Sequence, residues 1–215
     1  MKRYGLGILA LGVIFVVVAL AAVYSRGEGG VTDEFRKQFI KEFKRSGLNT
    51  TPDDALLLRM LIEAKKAKRG VEVGSATGFG AINMGVGFER TGGRLDTIDI
   101  DPNMVKITRE NVAKIGLEKS VTAIEGDALK VLGTLEGEVD FAFFDAVKED
   151  TLKYFKLLEP KMKPGTVVVV DNAIRSAAAM KDFLDFMKTS PDWEMVIVQV
   201  SQEKHDGMAV CYKVR

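Results

Sequence analysis

The sequence predicts an α/β domain: a doubly wound, mostly parallel, seven-stranded sheet closed by an antiparallel hairpin, behind one apolar N-terminal helix. Three observations predict it. Short apolar runs alternate with amphipathic helical stretches from about residue 51 to residue 188, and that alternation builds a parallel sheet covered by helices on both faces. The last two apolar runs, 195–200 and 208–214, are separated only by a polar turn, which suits antiparallel strands. Residues 4–25 carry no charge over 22 positions.

That first run would span about 33 Å as a helix, enough for a bilayer core. Tyr4 and Tyr24 sit near its ends, where aromatic rings favour the headgroup zone. The reading is a single-pass membrane anchor, with a signal peptide cleaved near Ala19-Leu20-Ala21 as the alternative. Gly27, Gly29 and Gly30 make a flexible link. Residues 1–30 are thus expected as anchor and linker, and residues 31–215 as one domain.

The elements follow in order. Thr32 can cap a helix that places Phe35, Phe39, Ile40 and Phe43 on one face and stops at Gly47. Thr51-Pro52-Asp53-Asp54 starts a second helix, over 53–66: a cap, a proline in the first turn, then acids at the positive helix end. Strands are expected at 71–73, 95–100, 121–124, 139–144 and 167–170. Helices between and after them are expected at 79–88, 102–115, 128–135, 149–158 and 176–188. In such folds ligands sit beyond the carboxyl ends of the strands, near the point where strand order reverses.

Composition narrows the chemistry there. The chain has one His, His205, and one Cys, Cys211. It cannot form an intramolecular disulfide, a thiolate zinc cluster or a site of two histidines. A bound metal must be held mainly by oxygen, which suits hard cations. Cys211 reads as a small core residue and His205 as a surface residue. Lys plus Arg is 31 and Asp plus Glu is 30, so there is no basic footprint for nucleic acid. Lys65, Lys66, Lys68 and Arg69 read as a solvated basic face.

Polar residues gather at the expected strand ends. The first strand runs into Gly74-Ser75-Ala76-Thr77-Gly78-Phe79-Gly80, where glycines admit a ligand to the backbone. The order is not the dinucleotide G-x-G-x-x-G. Asp99 ends the second strand, where a carboxylate can accept from two vicinal ribose hydroxyls. Gly126-Asp127-Ala128 ends the third, beside a place for adenine. Together they suggest an adenosine-containing cofactor. Asp145, followed by Lys148, ends the fourth strand, and Asp171-Asn172 the fifth. Two carboxylates and an amide oxygen make a hard-cation set.

These blocks resemble the catechol and caffeoyl-CoA type O-methyltransferases, Rossmann-like enzymes that use S-adenosylmethionine. The likeness covers VEVGSATGFGAI at 71–82, GRLDTIDIDPNMVKITREN at 93–111, VTAIEGDALKVL at 121–132, VDFAFFDAVKEDTLKYF at 139–155, KPGTVVVVDN at 163–172 and DGMAVCYK at 206–213. It implies that Glu72, Gly74, Ser75, Thr77 and Gly78 surround the methionine part of the cofactor. Asp99 would hold the ribose, and Asp127 and Ala128 would edge the adenine. Asp145 would border the cofactor and, with Asp171 and Asn172, bind Mg2+ or another divalent cation. Lys148 would match the family's base. The implied substrate is a small hydroxylated, catechol-like molecule. Gly80 stands where the family usually has a hydroxyl residue, Val147 where animal catechol enzymes have an aromatic wall, and the loop after Asn172 is short.

The implied cofactor is made and kept in the cytosol, which places the domain on the cytoplasmic face. Arg26, Arg36, Lys37, Lys41 and Lys44 favour that orientation; Lys2 and Arg3 favour the reverse. A homodimer is compatible with this reading. Two alternatives stand beside it: the same cofactor with another acceptor, such as a modified tRNA nucleoside, and a membrane-tethered scaffold without turnover.

Overall fold

The apolar runs become the strands of one seven-stranded sheet of order β3-β2-β1-β4-β5-β7-β6. The computed structural model describes residues 31–215. The predicted anchor lies outside the described residues; among these, no helix is long and apolar enough to cross a membrane. The strands are β1 (Arg69–Val73), β2 (Arg94–Asp99), β3 (Val121–Glu125), β4 (Phe141–Phe144), β5 (Val167–Val170), β6 (Trp193–Val198) and β7 (Met208–Lys213). Strands β1 to β5 pair in parallel, and β7 pairs antiparallel with both β5 and β6. The helices are α1 (Asp33–Lys41), α2 (Pro52–Lys65), α3 (Phe79–Thr91), α4 (Pro102–Lys114), α5 (Ala128–Thr134), α6 (Thr151–Leu158) and α7 (Lys181–Thr189).

Strands β4 and β5 are apolar throughout because both of their faces are buried. Phe141, Phe143, Val167 and Val169 join α2 and α3 residues such as Leu58, Ile62 and Ile82 in one core layer. Ala142, Phe144, Val168 and Val170 join Phe155, Leu158 and Phe183 in the other. In the second layer Phe155 packs edge-on against Trp193 at 5.1 Å and Phe183 at 5.8 Å. Cys211 is fully buried, and burial pushes its thiol pKa up to about 12.

Three expectations change. First, α1 ends at Lys41, not at Gly47. Phe43 leaves the helix to stack on Phe79 at 5.2 Å, while Phe35 stays 48% exposed. Second, α7 begins at Lys181, not at 176. The Asp206 carboxylate accepts from the Ile174 and Arg175 N–H groups at 3.1 and 3.0 Å, and this holds the chain in turns after β5. Third, Arg69 is not on a solvated face. It pairs with Asp96 on the neighbouring strand at 2.5 Å, with both side chains largely buried.

The sheet order reverses at β1, which lies between β2 and β4. All five parallel strands therefore present their carboxyl ends on one side, with the switch point in the middle.

Candidate active site

One cleft of about 960 Å³ lies along those ends. The tight start of the β1–α3 loop shapes its centre. Gly74 takes φ +93°, and a Cβ there would stand 2.2 Å from the Asp145 carbonyl oxygen. Asp145 N–H in turn donates to the Val73 carbonyl at 2.8 Å. The ends of β1 and β4 thus meet with no room for a side chain.

Loop N–H groups aim the second-strand acid. Ser75 N and Ala76 N donate to Asp99 Oδ2 at 3.0 and 2.9 Å, and Asp101 N donates to Oδ1 at 3.0 Å. Each carboxylate oxygen has two acceptor sites, so Asp99 keeps capacity for further donors. At the end of β3, Asp127 caps α5 by accepting from Leu129 N at 3.0 Å. Gly74, Asp99, Asp127, Ala128 and Asp145 all line the cleft.

Glu72, Ser75, Thr77 and Gly78 do not line it. Glu72 projects from the opposite face of β1 to Val71 and Val73. It is buried under α3 and accepts a hydrogen bond from Thr97 Oγ1. Thr77 Oγ1 donates to Asn49 at 2.6 Å, and Gly78 packs against Thr108. At Gly80, where a hydroxyl residue was expected, a Cβ would fall 2.6 Å from Glu72 Oε1, so a larger residue there requires the Glu72 carboxyl to shift.

Burial raises the Glu72 carboxyl pKa from 4.5 to about 8; the Thr97 hydrogen bond opposes the rise, and the Asp145 and Asp99 charges add to it. Between those values the folded protein keeps a proton that the unfolded chain releases. Stability should therefore fall as pH rises from about 4.5 to 8, by at most about 1.4 kcal/mol per pH unit. Glu72→Gln should flatten this dependence. Urea unfolding of both proteins at pH 5, 6.5 and 8 checks it; parallel profiles would contradict it.

The other half of the cleft holds the predicted cation set. Lys148 Nζ donates to Asp145 Oδ1 at 2.9 Å. Burial moves the Asp145 pKa upward, against the pull of the Lys148 ammonium, and the Asp171 charge pushes it the same way. Asn172 takes φ +60°, a left-handed conformation that asparagine tolerates. Its Nδ2 donates to Asp206 Oδ2 at 2.9 Å. An ionised carboxylate only accepts, so the amide must turn its nitrogen to Asp206. The Asn172 Oδ1 accepts no hydrogen bond among the described residues. Asp206 is itself fixed: burial opposes its charge, but the Arg175 N–H, the Asn172 amide and the Gly207 and Ile174 N–H groups hold its pKa below the usual value.

Two carboxylates with one free amide oxygen fit a hard cation. Among the described residues, no three His, Cys, Asp or Glu side chains are placed to hold a metal. A cation held here would draw on the Asn172 oxygen beside the two carboxylates.

Four residues in or behind this half escaped the sequence reading. Lys204 Nζ donates to both Asp171 oxygens, at 2.7 and 2.8 Å, and lies 2.9 Å from Asp54 Oδ2. Burial opposes the Lys204 charge, but the Asp171 and Asp54 carboxylates outweigh it and raise its pKa. Asp54 reads from sequence as a plain helix-start acid, and Lys204 and Asp206 as part of a polar turn. The fourth is Arg45, whose pair with Glu203 at 2.7 Å ties the α1–α2 loop to the β6–β7 turn. No local pattern marks partners so far apart in sequence. His205, beside Lys204, is exposed.

A doubly wound sheet with acids from successive strand ends in one cleft is the frame of a nucleotide-type cofactor site. Comparison with known proteins gives the family: a family model described as O-methyltransferase matches residues 23–208. A catechol O-methyltransferase of Niastella koreensis is 29% identical over 180 residues, spanning 76% of this chain and 81% of that protein. A catechol O-methyltransferase of Mycobacterium tuberculosis is 31% identical over 166 residues, spanning 71% and 75%. The O-methyltransferase TomG of Streptomyces achromogenes, solved with S-adenosylmethionine, superposes with a TM-score of 0.74 at 23% identity, over 94% of this chain and 96% of that one. That likeness speaks for the fold. The chain belongs to the O-methyltransferase family and is an S-adenosylmethionine-dependent enzyme. The reading as a scaffold without turnover falls away.

Proposed function

We propose that this enzyme methylates a hydroxyl of a small catechol-like acceptor with the help of a divalent cation, and that residues 4–25 anchor it to a membrane with the domain facing the cytoplasm. One observation carries the reaction: Asp145, Lys148, Asp171 and Asn172 share a single cleft with Asp99 and Asp127. The names of the relatives support the acceptor class. Leu48 and Val147, exposed by 73% and 54% at the cleft, offer apolar contact to an aromatic ring.

Asp99, Asp127 and Ala128 would hold the nucleoside of the donor, with Gly74 giving it close approach to the backbone. Asp145, Asp171 and the Asn172 Oδ1 would hold the cation. A bound divalent ion supplies charge that favours the phenolate form of the acceptor. Lys148, acting as the neutral amine after its own proton has passed to solvent, would take the proton at Nζ as the acceptor O–H bond breaks. The freed oxygen pair forms the bond to the methyl carbon, and the carbon–sulfur electrons leave on sulfur. Holding oxygen and methyl in line supplies much of the rate.

The test is a donor-dependent methylation screen over catechols, flavonoid-like phenols and RNA. A catechol product that chelator abolishes and magnesium restores is expected. Activity indifferent to both chelator and Asp145→Ala would remove the cation. Methylated RNA with unmodified catechols would move the acceptor to a nucleoside. Protease digestion of sealed vesicles should reach the domain from the cytoplasmic side only.

A further inference from the structure

We propose that Lys204 is a tethered rival of the divalent cation: its ammonium holds Asp171 in the cation-free enzyme and must be displaced before the cation can use that ligand. The inference rests on the cation reading above. It arises from where one side chain lies. The Lys204 ammonium spans both Asp171 oxygens and reaches Asp54 Oδ2. Its side chain is 15% exposed, against 4% for Asp171 and 2% for Asp54. Asp54 is locked as well, since its Oδ2 accepts from Thr51 Oγ1 at 2.8 Å.

The charge pattern explains why the ammonium is there. Asp54, Asp145 and Asp171 bring three carboxylates into a largely buried region, and a buried carboxylate without a partner is costly. Lys148 covers Asp145, and Lys204 covers Asp54 and Asp171. The chain thus supplies its own counter-charge. The same arrangement opposes metal binding in two ways. The bidentate contact takes one acceptor position on each Asp171 oxygen, with the Asn172 N–H on a second position of Oδ1 at 2.8 Å, and an ammonium left nearby repels a divalent ion in a poorly screened site. Lys204 lies in the turn before β7, between Glu203, which is tied to Arg45, and Asp206, which is tied to Asn172. Its backbone is therefore held at both sides, and displacement must come from the side chain.

Manganese binding measures this directly, by the loss of the free Mn2+ resonance in electron paramagnetic titration of the full chain in mild detergent. Lys204→Met should bind Mn2+ roughly 10- to 100-fold more tightly than the native protein. Lys204→Gln, which keeps a donor for Asp171 and Asp54, should do the same and covers the case in which the methionine variant does not fold. Lys204→Arg should return to weak binding. Equal affinity in the native protein and both neutral variants, or weaker affinity in the variants, overturns the role of Lys204 and leaves the cation reading intact. Absence of binding in every form, with native circular dichroism, overturns the cation reading and this inference with it.

Discussion

Lys148→Met should lower the methyl-transfer rate about 10²- to 10⁴-fold at saturating donor and acceptor, the usual range for removing a group that handles a proton in the transition state. Methionine keeps most of the apolar stem and removes only the ammonium. The effect should appear in kcat, because Lys148 acts on the proton rather than on the acceptor's ring. Some stability is also lost, since Asp145 sits behind Lys148 and loses its 2.9 Å partner. Lys148→Arg separates the two roles: it keeps a positive partner for Asp145 but is a poor base, so it should restore the unfolding temperature and not the rate. A methionine variant retaining a third of the native kcat would falsify the proton-handling role.

The second large effect belongs to a residue with no side chain. Gly74→Ala should cost about 2–4 kcal/mol of stability, combining left-handed backbone strain with a contact that no rotamer change can relieve. For a domain of this size that is an unfolding temperature lower by about 4–16 °C. The colliding atom is the main-chain oxygen of Asp145, so relief requires the ends of β1 and β4 to part. The proposed cofactor and cation sites lie on either side of that junction. Calorimetric titration with S-adenosylhomocysteine should accordingly show affinity reduced at least tenfold, on the order of 1.4 kcal/mol. Gly133→Ala is the control: a Cβ at Gly133 meets nothing within 4 Å, and alanine favours the helical conformation of α5. It should leave the affinity unchanged and raise stability slightly, by at most about 1 kcal/mol.

Much of the fold was legible because its signals are local. Thr51 and Pro52 start α2 as the capping pattern predicts, and the four valines of β5 fall where an apolar run after a Pro-Gly turn places a strand. Asp99, Asp127, Asp145 and Asp171 were legible for a related reason. In a parallel sheet every strand end faces one cleft, so an acid at the end of an apolar run is an acid at the site. The start of α7 was not legible, because the turns before it depend on Asp206, some thirty residues later. The buried setting of Glu72 beside Thr97 was not legible, since a motif gives a residue's position but not the side of the sheet it faces. Arg69 was misread as solvated, since the partner that buries it is on another strand.

The sequence by itself determined the class of fold, the exclusion of an intramolecular disulfide, a thiolate zinc cluster and a two-histidine metal site, and the oxygen-rich set at the strand ends. These follow from composition and short-range periodicity. Only the tertiary structure decided how those charges are balanced. It put Lys204 between Asp54 and Asp171, two acids more than a hundred residues apart in sequence. It turned the Asn172 amide by setting Asp206 against its nitrogen, and it closed β1 onto β4 through Gly74. The physical reason is common to all three. A pair interaction between distant segments depends on where the fold delivers each backbone, and no local pattern of residues encodes that.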